Sequence, residues 1–250
     1  MTATGKTTGS TIDPAEVNRF AAHAAGWWDP EGSFRPLHRL NPIRLAFIRD
    51  ELLTHFDRDP RSLTPFDGLT LCDVGCGGGL MAEPMARLGF SVTGIDADEA
   101  AIRVARAHAA STGLDIDYRA ETAESLVAAG RQFNAVLALE LIEHVADPDT
   151  LLAASAALLK PGGAFIGATL NRTPQSYGLA VIGAEYVMRW LPRGTHDWRR
   201  FLRPSEFVLG LRRVGLKPVR LKGLHYQLSS GDWRLSDDLS VNYFVMAVKP

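Results

Sequence analysis

The chain has 250 residues, 46% of them hydrophobic, which is enough for the core of one large α/β domain or two small ones. Its 27 Lys and Arg residues nearly balance its 28 Asp and Glu residues. The resulting net charge of −1 argues against a protein that binds nucleic acid through its overall field. Cys72 and Cys76 are too few for a disulfide framework or a zinc site, so we expect a globular protein of a reducing compartment.

The N-terminal region contains two helix-start signals. Residues 1–12 are polar and lack an apolar run, so we expect a disordered tail. Asp13 and Pro14 are typical of an N-cap and a first helical position, with Glu16 in the first turn. Asn41 and Pro42 repeat the signal, and the Pro- and Gly-containing stretch 29–39 predicts a loop between two helices.

The chain from residue 69 onward alternates short apolar runs with amphipathic ones, which predicts parallel strands covered by helices. The predicted strands are 69–74, 91–95, 116–119, 135–139, 164–169, 218–224 and 241–248. The predicted helices are 80–88, 99–110, 149–159 and 204–213. We expect one α/β domain over residues 13–250, with N-terminal helices in 13–66, a doubly wound, seven-stranded, mostly parallel sheet, and an antiparallel pair formed by the last two strands.

The turn after the first strand has the sequence DVGCGGG, from Asp73 to Gly79. Glycines there let a ligand approach the backbone. A dinucleotide fingerprint would need Gly75, Gly77 and a third glycine at position 80, which is Leu80. The glycine turn begins with the Asp73 carboxylate, and it therefore favours a ligand with an ammonium or sulfonium group over a diphosphate.

The second and third strands end in acidic residues. Asp96 closes the second strand, where a carboxylate can accept both ribose hydroxyls of a nucleoside. Glu121 follows the third strand, in position to contact an adenine edge. Together with the glycine turn, these residues indicate a nucleoside without phosphates. A tight strand-to-helix connection with no ligand is the alternative.

The segment LELIEHV follows the fourth strand, at the edge where open α/β sheets bind ligands. His144 is a candidate general base, and Glu140 shares its face if the segment is a helical turn. Glu140, Glu143 and His144 are alternatively candidate Mg²⁺ ligands. In a third interpretation, the two glutamates only cap or solvate a short helix, and His144 is a packed structural residue.

Residues 171–203 interrupt the alternation with an insert. Leu179, Ile182, Tyr186 and Trp190 have helical spacing, and six arginines face two acids. The apolar run is too short to span a bilayer. We weigh two hypotheses equally: an amphipathic helix on an anionic membrane surface, or a helix that covers the active site or forms a dimer contact.

The motifs as a set resemble those of class I S-adenosylmethionine (SAM)-dependent methyltransferases. The shared segments are DVGCGGG, Gly94-Ile95-Asp96, ELIEHV and the LLKPGG of residues 158–163. More specific segments resemble the ubiquinone-biosynthesis O-methyltransferase family over about residues 13–250. These are WWD and EG in 27–32, FRPLHR in 34–39, NPIR in 41–44, TLNR in 169–172, GAEY in 183–186, GTHD in 194–197 and GLHY in 223–226.

The resemblance implies a set of functional residues. It places Arg44, Gly75, Asp96 and Leu139 at SAM-binding positions, and a guanidinium such as that of Arg44 pairs well with the methionine carboxylate. In some members of the family the equivalents of Glu140, Glu143 and His144 are regarded as Mg²⁺ ligands. A phenol near pKa ~10 must lose its proton before it accepts a methyl group, so the site needs a base or a Lewis acid.

The resemblance also implies the reaction and the location. The expected activity is SAM-dependent methylation of phenolic hydroxyls on polyprenylated catechol and demethylubiquinol intermediates. The expected partners are this lipophilic polyprenyl substrate and no nucleic acid. We expect the protein in the cytoplasm or peripherally on the inner face of the cytoplasmic membrane. Alternatives are methylation of another lipophilic phenol, an NAD-dependent oxidoreductase, and a lipid-binding protein without catalysis.

Overall fold

A computed structural model describes residues 11–21, 23–178, 197–227 and 232–250. These residues form an eight-stranded sheet in the order β3-β2-β1-β4-β5-β8-β6-β7. The strands are β1 (Thr70–Val74), β2 (Ser91–Ile95), β3 (Asp117–Arg119), β4 (Phe133–Leu139), β5 (Leu159–Leu170), β6 (Lys217–Gln227), β7 (Asp232–Ser236) and β8 (Asn242–Val248). The doubly wound, mostly parallel α/β architecture is confirmed.

Strands β3, β2, β1, β4 and β5 form the parallel part of the sheet. β1 lies at its centre, with Cys72 opposite Thr93 of β2 and Val136 of β4. Strand order reverses at β1, which opens a crevice at the carboxyl ends of β1 and β4. Open α/β sheets bind ligands at such a crevice.

The C-terminal strands form the antiparallel part of the sheet. β8 pairs with both β5 and β6, which confirms the expected pairing of the last two predicted strands. β7 is an eighth strand among the described residues, one more than the seven we expected. Its sequence DWRLS alternates two apolar residues with polar ones over only five positions, which is too short to predict a strand, and pairing with β6 forms it.

The helices cover both faces of the sheet. They are α1 (Pro14–Ala21), α2 (Arg35–His55), α3 (Ala82–Arg87), α4 (Glu99–Ser111), α5 (Ala123–Ala128), α6 (Pro148–Leu158), the one-turn α7 (Pro174–Ser176) and α8 (Pro204–Arg213). α2, α3 and α4 pack on one face and α5, α6 and α8 on the other. α5 was absent from the predicted helices. Among the described residues, no helix is both long and apolar enough to cross a membrane.

Helix α2 corrects two predictions. The expected loop 29–39 is confirmed for residues 29–34, but its remainder and the helix start at Asn41 are wrong, because α2 runs without a break from Arg35 to His55. Pro36 lies in the first turn, where no N–H is needed, and Pro42 lies in the helix interior. An interior proline costs about 3 kcal/mol. Burial of the α2 side chains on the sheet offsets this cost; these are Leu40, Arg44, Phe47, Ile48, Leu52 and Leu53.

The expected N-terminal tail is too long by at least one residue. Thr11 is buried, and its backbone N–H and hydroxyl donate to Glu124 Oε1 at 3.0 and 2.8 Å. Its carbonyl accepts from the Ala146 N–H at 3.1 Å. Residues 1–10 lie outside the described residues. The predicted helix of the insert also lies outside them, in 179–196.

Candidate active site

A cavity of about 450 Å³ lies at the crevice of the sheet. Its walls come from the glycine turn after β1, the ends of β2 and β4, and helices α1 and α2. Strands β6, β7 and β8 supply its far wall with His225, Tyr226, Trp233 and Asn242. This volume is typical of a small-molecule site.

The glycine turn forms one wall through its backbone. Gly75 and Gly77 have φ values of 74° and 52°, which L side chains rarely adopt. The N–H groups of Gly75 and Cys76 donate to the Ile95 carbonyl at 2.8 and 3.0 Å. A Cβ on Gly75 would lie 2.8 Å from the Leu141 side chain, and one on Gly77 would overlap Trp27. The turn therefore requires glycine at both predicted positions.

Asp73 lies at the floor of the cavity as an incompletely paired acid. It is 3% exposed, and its Oδ2 has no hydrogen-bond partner. Burial and the nearby Asp96 charge raise the pKa of Asp73 to about 7, although Arg44 acts in the opposite direction. A cationic group in the cavity would stabilise its ionised form.

Asp96 is held by backbone N–H groups. Its Oδ2 accepts from Gly77 at 2.9 Å and its Oδ1 from Asp98 at 2.8 Å. Burial raises the pKa of Asp96, and these two hydrogen bonds counteract that rise. A carboxylate has about four acceptor positions, so it can still accept ribose hydroxyls.

Glu140 joins a buried polar cluster with Arg44 and Asn242. Arg44 Nη2 lies 3.0 Å from Glu140 Oε1, and Asn242 Nδ2 donates to Glu140 Oε1 at 3.2 Å. Arg44 is 5% exposed, and its Nε has no hydrogen-bond partner. Glu140 has a φ of 49°, which is rare for a residue with a side chain. Arg44 is therefore a buried cation with donors left for an anionic ligand.

His144 faces the same cavity from a turn rather than a helix. Its Nδ1 lies 2.8 Å from Oε2 of Glu16 on α1. Because a carboxylate only accepts, Nδ1 carries the proton and Nε2 is the basic nitrogen of the neutral ring. Burial lowers the pKa of His144, but the bond to Glu16 and the charges of Glu143 and Glu140 outweigh it and raise the pKa.

The three candidate Mg²⁺ ligands do not converge. Glu143 is outside the cavity lining, and its Oε2 accepts from Thr169 Oγ1 at 2.8 Å. Glu140 pairs with Arg44, whereas His144 pairs with Glu16. Over the described part of the chain, no three His, Cys, Asp or Glu side chains group together in a way that could hold a metal ion. The predicted Mg²⁺ set therefore does not fit this geometry.

Two tryptophans cover the glycine turn, a role that we did not assign from the sequence. Trp27 is packed against Gly77 and Gly78 and stacks on Phe34, with ring centroids 3.8 Å apart. Trp28 Nε1 donates to the Gly78 carbonyl at 2.9 Å. The adjacent aromatic pair in the sequence was the available signal. The N-terminal segment is thus part of the site.

The structure brings most predicted site residues into one place. Arg44, Asp73, Gly75, Gly77, Asp96, Glu121, Leu139, Glu140 and His144 all line the cavity, and Glu143 does not. Sequence reasoning missed Glu16 and Asn242 as cavity residues. Asn242 had a signal, because it is a polar residue at the start of the apolar run NYFVMAV.

Comparisons with known proteins place this chain among methyltransferases. A family model described as a methyltransferase domain matches residues 72–167. A ubiquinone biosynthesis O-methyltransferase of Dinoroseobacter shibae is 54% identical over 241 residues, covering 96% of this chain and 97% of the relative. A protein of the same description from Brucella anthropi is 52% identical over 250 residues and covers 100% of both chains.

Solved structures share the fold at low identity. Magnesium protoporphyrin IX methyltransferase from Synechocystis with bound S-adenosylhomocysteine (SAH) is 16% identical, with a TM-score of 0.61 over 94% of this chain and 93% of that one. A SAM-dependent methyltransferase of Thermotoga maritima, 16% identical, has a TM-score of 0.59 over 94% of this chain and 99% of that one.

The fold is that of class I SAM-dependent methyltransferases, and the full-length relatives place the chain in that class. The chain belongs to the family of ubiquinone biosynthesis O-methyltransferases and is a SAM-dependent O-methyltransferase. The NAD-dependent oxidoreductase alternative is not favoured by these relatives.

Proposed function

We propose that the enzyme methylates phenolic hydroxyls of polyprenylated catechol and demethylubiquinol intermediates. The observation that carries this proposal is a single cavity that combines the glycine turn and Asp96 with His144 and an apolar far wall. The names of the full-length relatives supply the pathway.

The cavity residues fit SAM as a nucleoside with a cationic amino-acid tail. Asp96 would accept the ribose hydroxyls, with Glu121 and Leu139 beside the adenosine. Arg44 would pair with the methionine carboxylate through a donor that now lacks a hydrogen bond. Asp73 would face the positively charged end of SAM, and this positive charge would balance the buried carboxylate of Asp73. When bound, SAM supplies a methyl group activated on a sulfonium.

His144 is the proposed general base for the phenol. Its neutral ring would take the phenolic proton at Nε2, while Glu16 holds Nδ1 and steadies the resulting imidazolium. The packed cavity walls would exclude water and align the phenolate oxygen. No step requires a metal ion. The magnesium alternative would instead need the side chains of Glu140, Glu143 and His144 to converge on one ion.

The far wall of the cavity suits a lipophilic acceptor. Leu170, Val241, Tyr226 and Trp233 present apolar and aromatic surface there. The Tyr226 and Trp233 rings lie 5.3 Å apart between centroids. Such a surface would hold the acceptor ring or the start of its isoprenoid tail.

The insert is proposed to contact an anionic membrane surface, from which a polyprenyl acceptor would enter. Its sequence carries six arginines against two acids. Of these, Arg172 pairs with Glu206 and Arg200 with Asp13, so those two charges are already engaged within the fold. Flotation with neutral and anionic vesicles tests the contact, and equal flotation with both would contradict it.

The experiment for the proposed activity is SAH formation from SAM with a short-chain prenyl catechol, with and without a chelator. The proposal expects SAH release only when the catechol is present, and the same rate with chelator. Absence of acceptor-dependent SAH would contradict the reaction, and loss of activity with chelator would restore the metal alternative.

A further inference from the structure

Asn242 is a buried polar side chain in the cavity wall with one unpaired hydrogen-bonding atom. It is 4% exposed and lines the cavity. Its Nδ2 donates to the two carboxylate oxygens of Glu140 at 3.2 and 3.4 Å. Because a carboxylate only accepts, the amide nitrogen must face Glu140. The remaining atom, Oδ1, has no hydrogen-bond partner.

The position of Asn242 makes this unpaired acceptor unusual. It begins β8 opposite Leu170, the last residue of β5, so it lies at the ligand-binding edge of the sheet. Phe244 and Met246 follow on the same strand face and belong to the hydrophobic core. A buried carbonyl oxygen in such a row destabilises the protein unless a partner pairs with it.

The backbone of Glu140 supports a functional role for the pair. Its φ of 49° is strained for a non-glycine residue, and its N–H donates to the Ala168 carbonyl at 2.9 Å. This conformation holds the Glu140 carboxylate between Arg44 and Asn242. The carboxylate thereby fixes the orientation of the Asn242 amide, which leaves Oδ1 as a rigid acceptor.

The chemistry of Oδ1 limits what it can recognise. A carbonyl oxygen needs an O–H or N–H donor, and the aromatic and aliphatic groups of Tyr226, Trp233 and Val241 line the same cavity. A hydroxylated aromatic ring satisfies both features. Resting on the proposed function, we propose that Asn242 selects acceptors with a second hydroxyl beside the reacting one, by accepting a hydrogen bond from that hydroxyl at Oδ1.

The proposal predicts discrimination between a catechol and its monomethyl ether. A methoxy group beside the reacting hydroxyl has no proton to donate, so it would leave Oδ1 buried and unpaired. We expect wild-type kcat/KM to favour a prenyl catechol over the corresponding monomethyl ether by about tenfold, the size of one buried hydrogen bond.

The test replaces the amide by an apolar side chain of similar size. Asn242→Leu should lower kcat/KM for the catechol about tenfold and change that for the monomethyl ether little, so that the preference disappears. Asn242→Ala should give the same loss of preference, and it keeps the test valid if the leucine variant does not fold. SAH affinity, measured by calorimetry, should stay within about threefold of the wild type, because Arg44 and Asp96 remain.

Asn171 provides the matched control. It is also buried, its Oδ1 also lacks a hydrogen-bond partner, and it does not line the cavity. Asn171→Leu should therefore keep the catechol preference. An unchanged preference in both Asn242 variants, an equal loss for both acceptors, or the same loss of preference in Asn171→Leu would overturn the inference.

A binding measurement separates this inference from the proposed reaction. Calorimetric titration of catechol and monomethyl ether into the SAH complex needs no methyl transfer. The wild type could transfer no methyl group and yet bind the catechol more tightly than the monomethyl ether, with this difference lost in the Asn242 variants. In that case the proposed function fails and the recognition stands. If the wild type methylates both acceptors equally well, the recognition fails and the proposed function stands.

Discussion

Glu16 Oε2 and His144 Nδ1 lie 2.8 Å apart, joining the N-terminal helix to the turn after β4. The contact bridges 128 positions of sequence and closes one side of the cavity. Glu16 also lies 2.6 Å from Arg19 and 3.8 Å from Arg200. The proposed base is therefore oriented by a helix that also forms part of the cavity wall.

His144→Ala should lower kcat about 10²- to 10⁴-fold, the usual contribution of a general base. SAH affinity should change little, because the proposed cofactor contacts come from other residues. Steady-state kinetics and calorimetry check the two effects. Full activity in the variant would remove His144 from the mechanism.

Glu16→Gln should destabilise the protein mainly between pH 4.5 and 6.5. Burial raises the pKa of Glu16, but the bond to His144 and the charges of Arg19 and Arg200 lower it overall from 4.5, so its stabilisation is lost as pH falls. The pKa of His144 is raised from 6.5, so its stabilisation is lost as pH rises.

Thermal unfolding of this variant should show a Tm loss of about 2–4 °C at pH 6 and a smaller loss at pH 9. Asp13→Asn is the control, since Asp13 fastens the same helix through an ion pair with Arg200 at 2.8 Å. The Tm loss of Asp13→Asn should stay the same across the pH range in which His144 loses its proton. Equal losses for Glu16→Gln at both pH values would contradict the ion pair.

Asp73→Asn should stabilise the ligand-free protein at pH 8 and weaken SAM binding. The pKa of Asp73 is raised to about 7 by burial and by Asp96, so the wild type loses stability as pH rises through that value. The amide cannot ionise and escapes this loss, so its Tm should exceed that of the wild type at pH 8 and match it near pH 4. A lower Tm at pH 8 would show that the Asp73 carboxylate is not strained by burial.

Asp96→Ala should raise the SAH dissociation constant at least about 100-fold, because the ribose loses its charged hydrogen-bond acceptor. Asp117→Ala is a suitable control, since Asp117 is an exposed acid on the neighbouring strand, paired with Arg119 at 2.9 Å. Calorimetric titration with SAH measures both. Unchanged affinity for the Asp96 variant would exclude the ribose contact.

Sequence reasoning could find the site residues that follow individual strands. Asp73, Gly75 and Gly77, then Asp96, then Glu140 and His144 each stand in a short motif at a strand end, and parallel strands bring such ends together. It could not find pairs that depend on distant segments. Asn242 is 102 positions from Glu140, and no local pattern reports that contact.

The fold departs from prediction where tertiary contacts outweigh local preference. Pro42 suggested a helix start, but the apolar side chains before and after it pack on the sheet and keep α2 continuous. β7 has only the short alternation of Trp233 and Leu235 with polar residues, and it forms by pairing with β6. The local sequence indicates the secondary-structure preference of a segment, but not the tertiary contacts that outweigh this preference.

The most direct test of the account is methyl transfer from SAM with a deuterated methyl group to a prenyl catechol, followed by mass spectrometry and NMR of the product. We expect one deuterated methyl group on a phenolic oxygen, in amounts equal to the SAH formed. An unlabelled catechol after prolonged incubation with enzyme that binds both SAM and the catechol, or a label on carbon, would contradict this expectation.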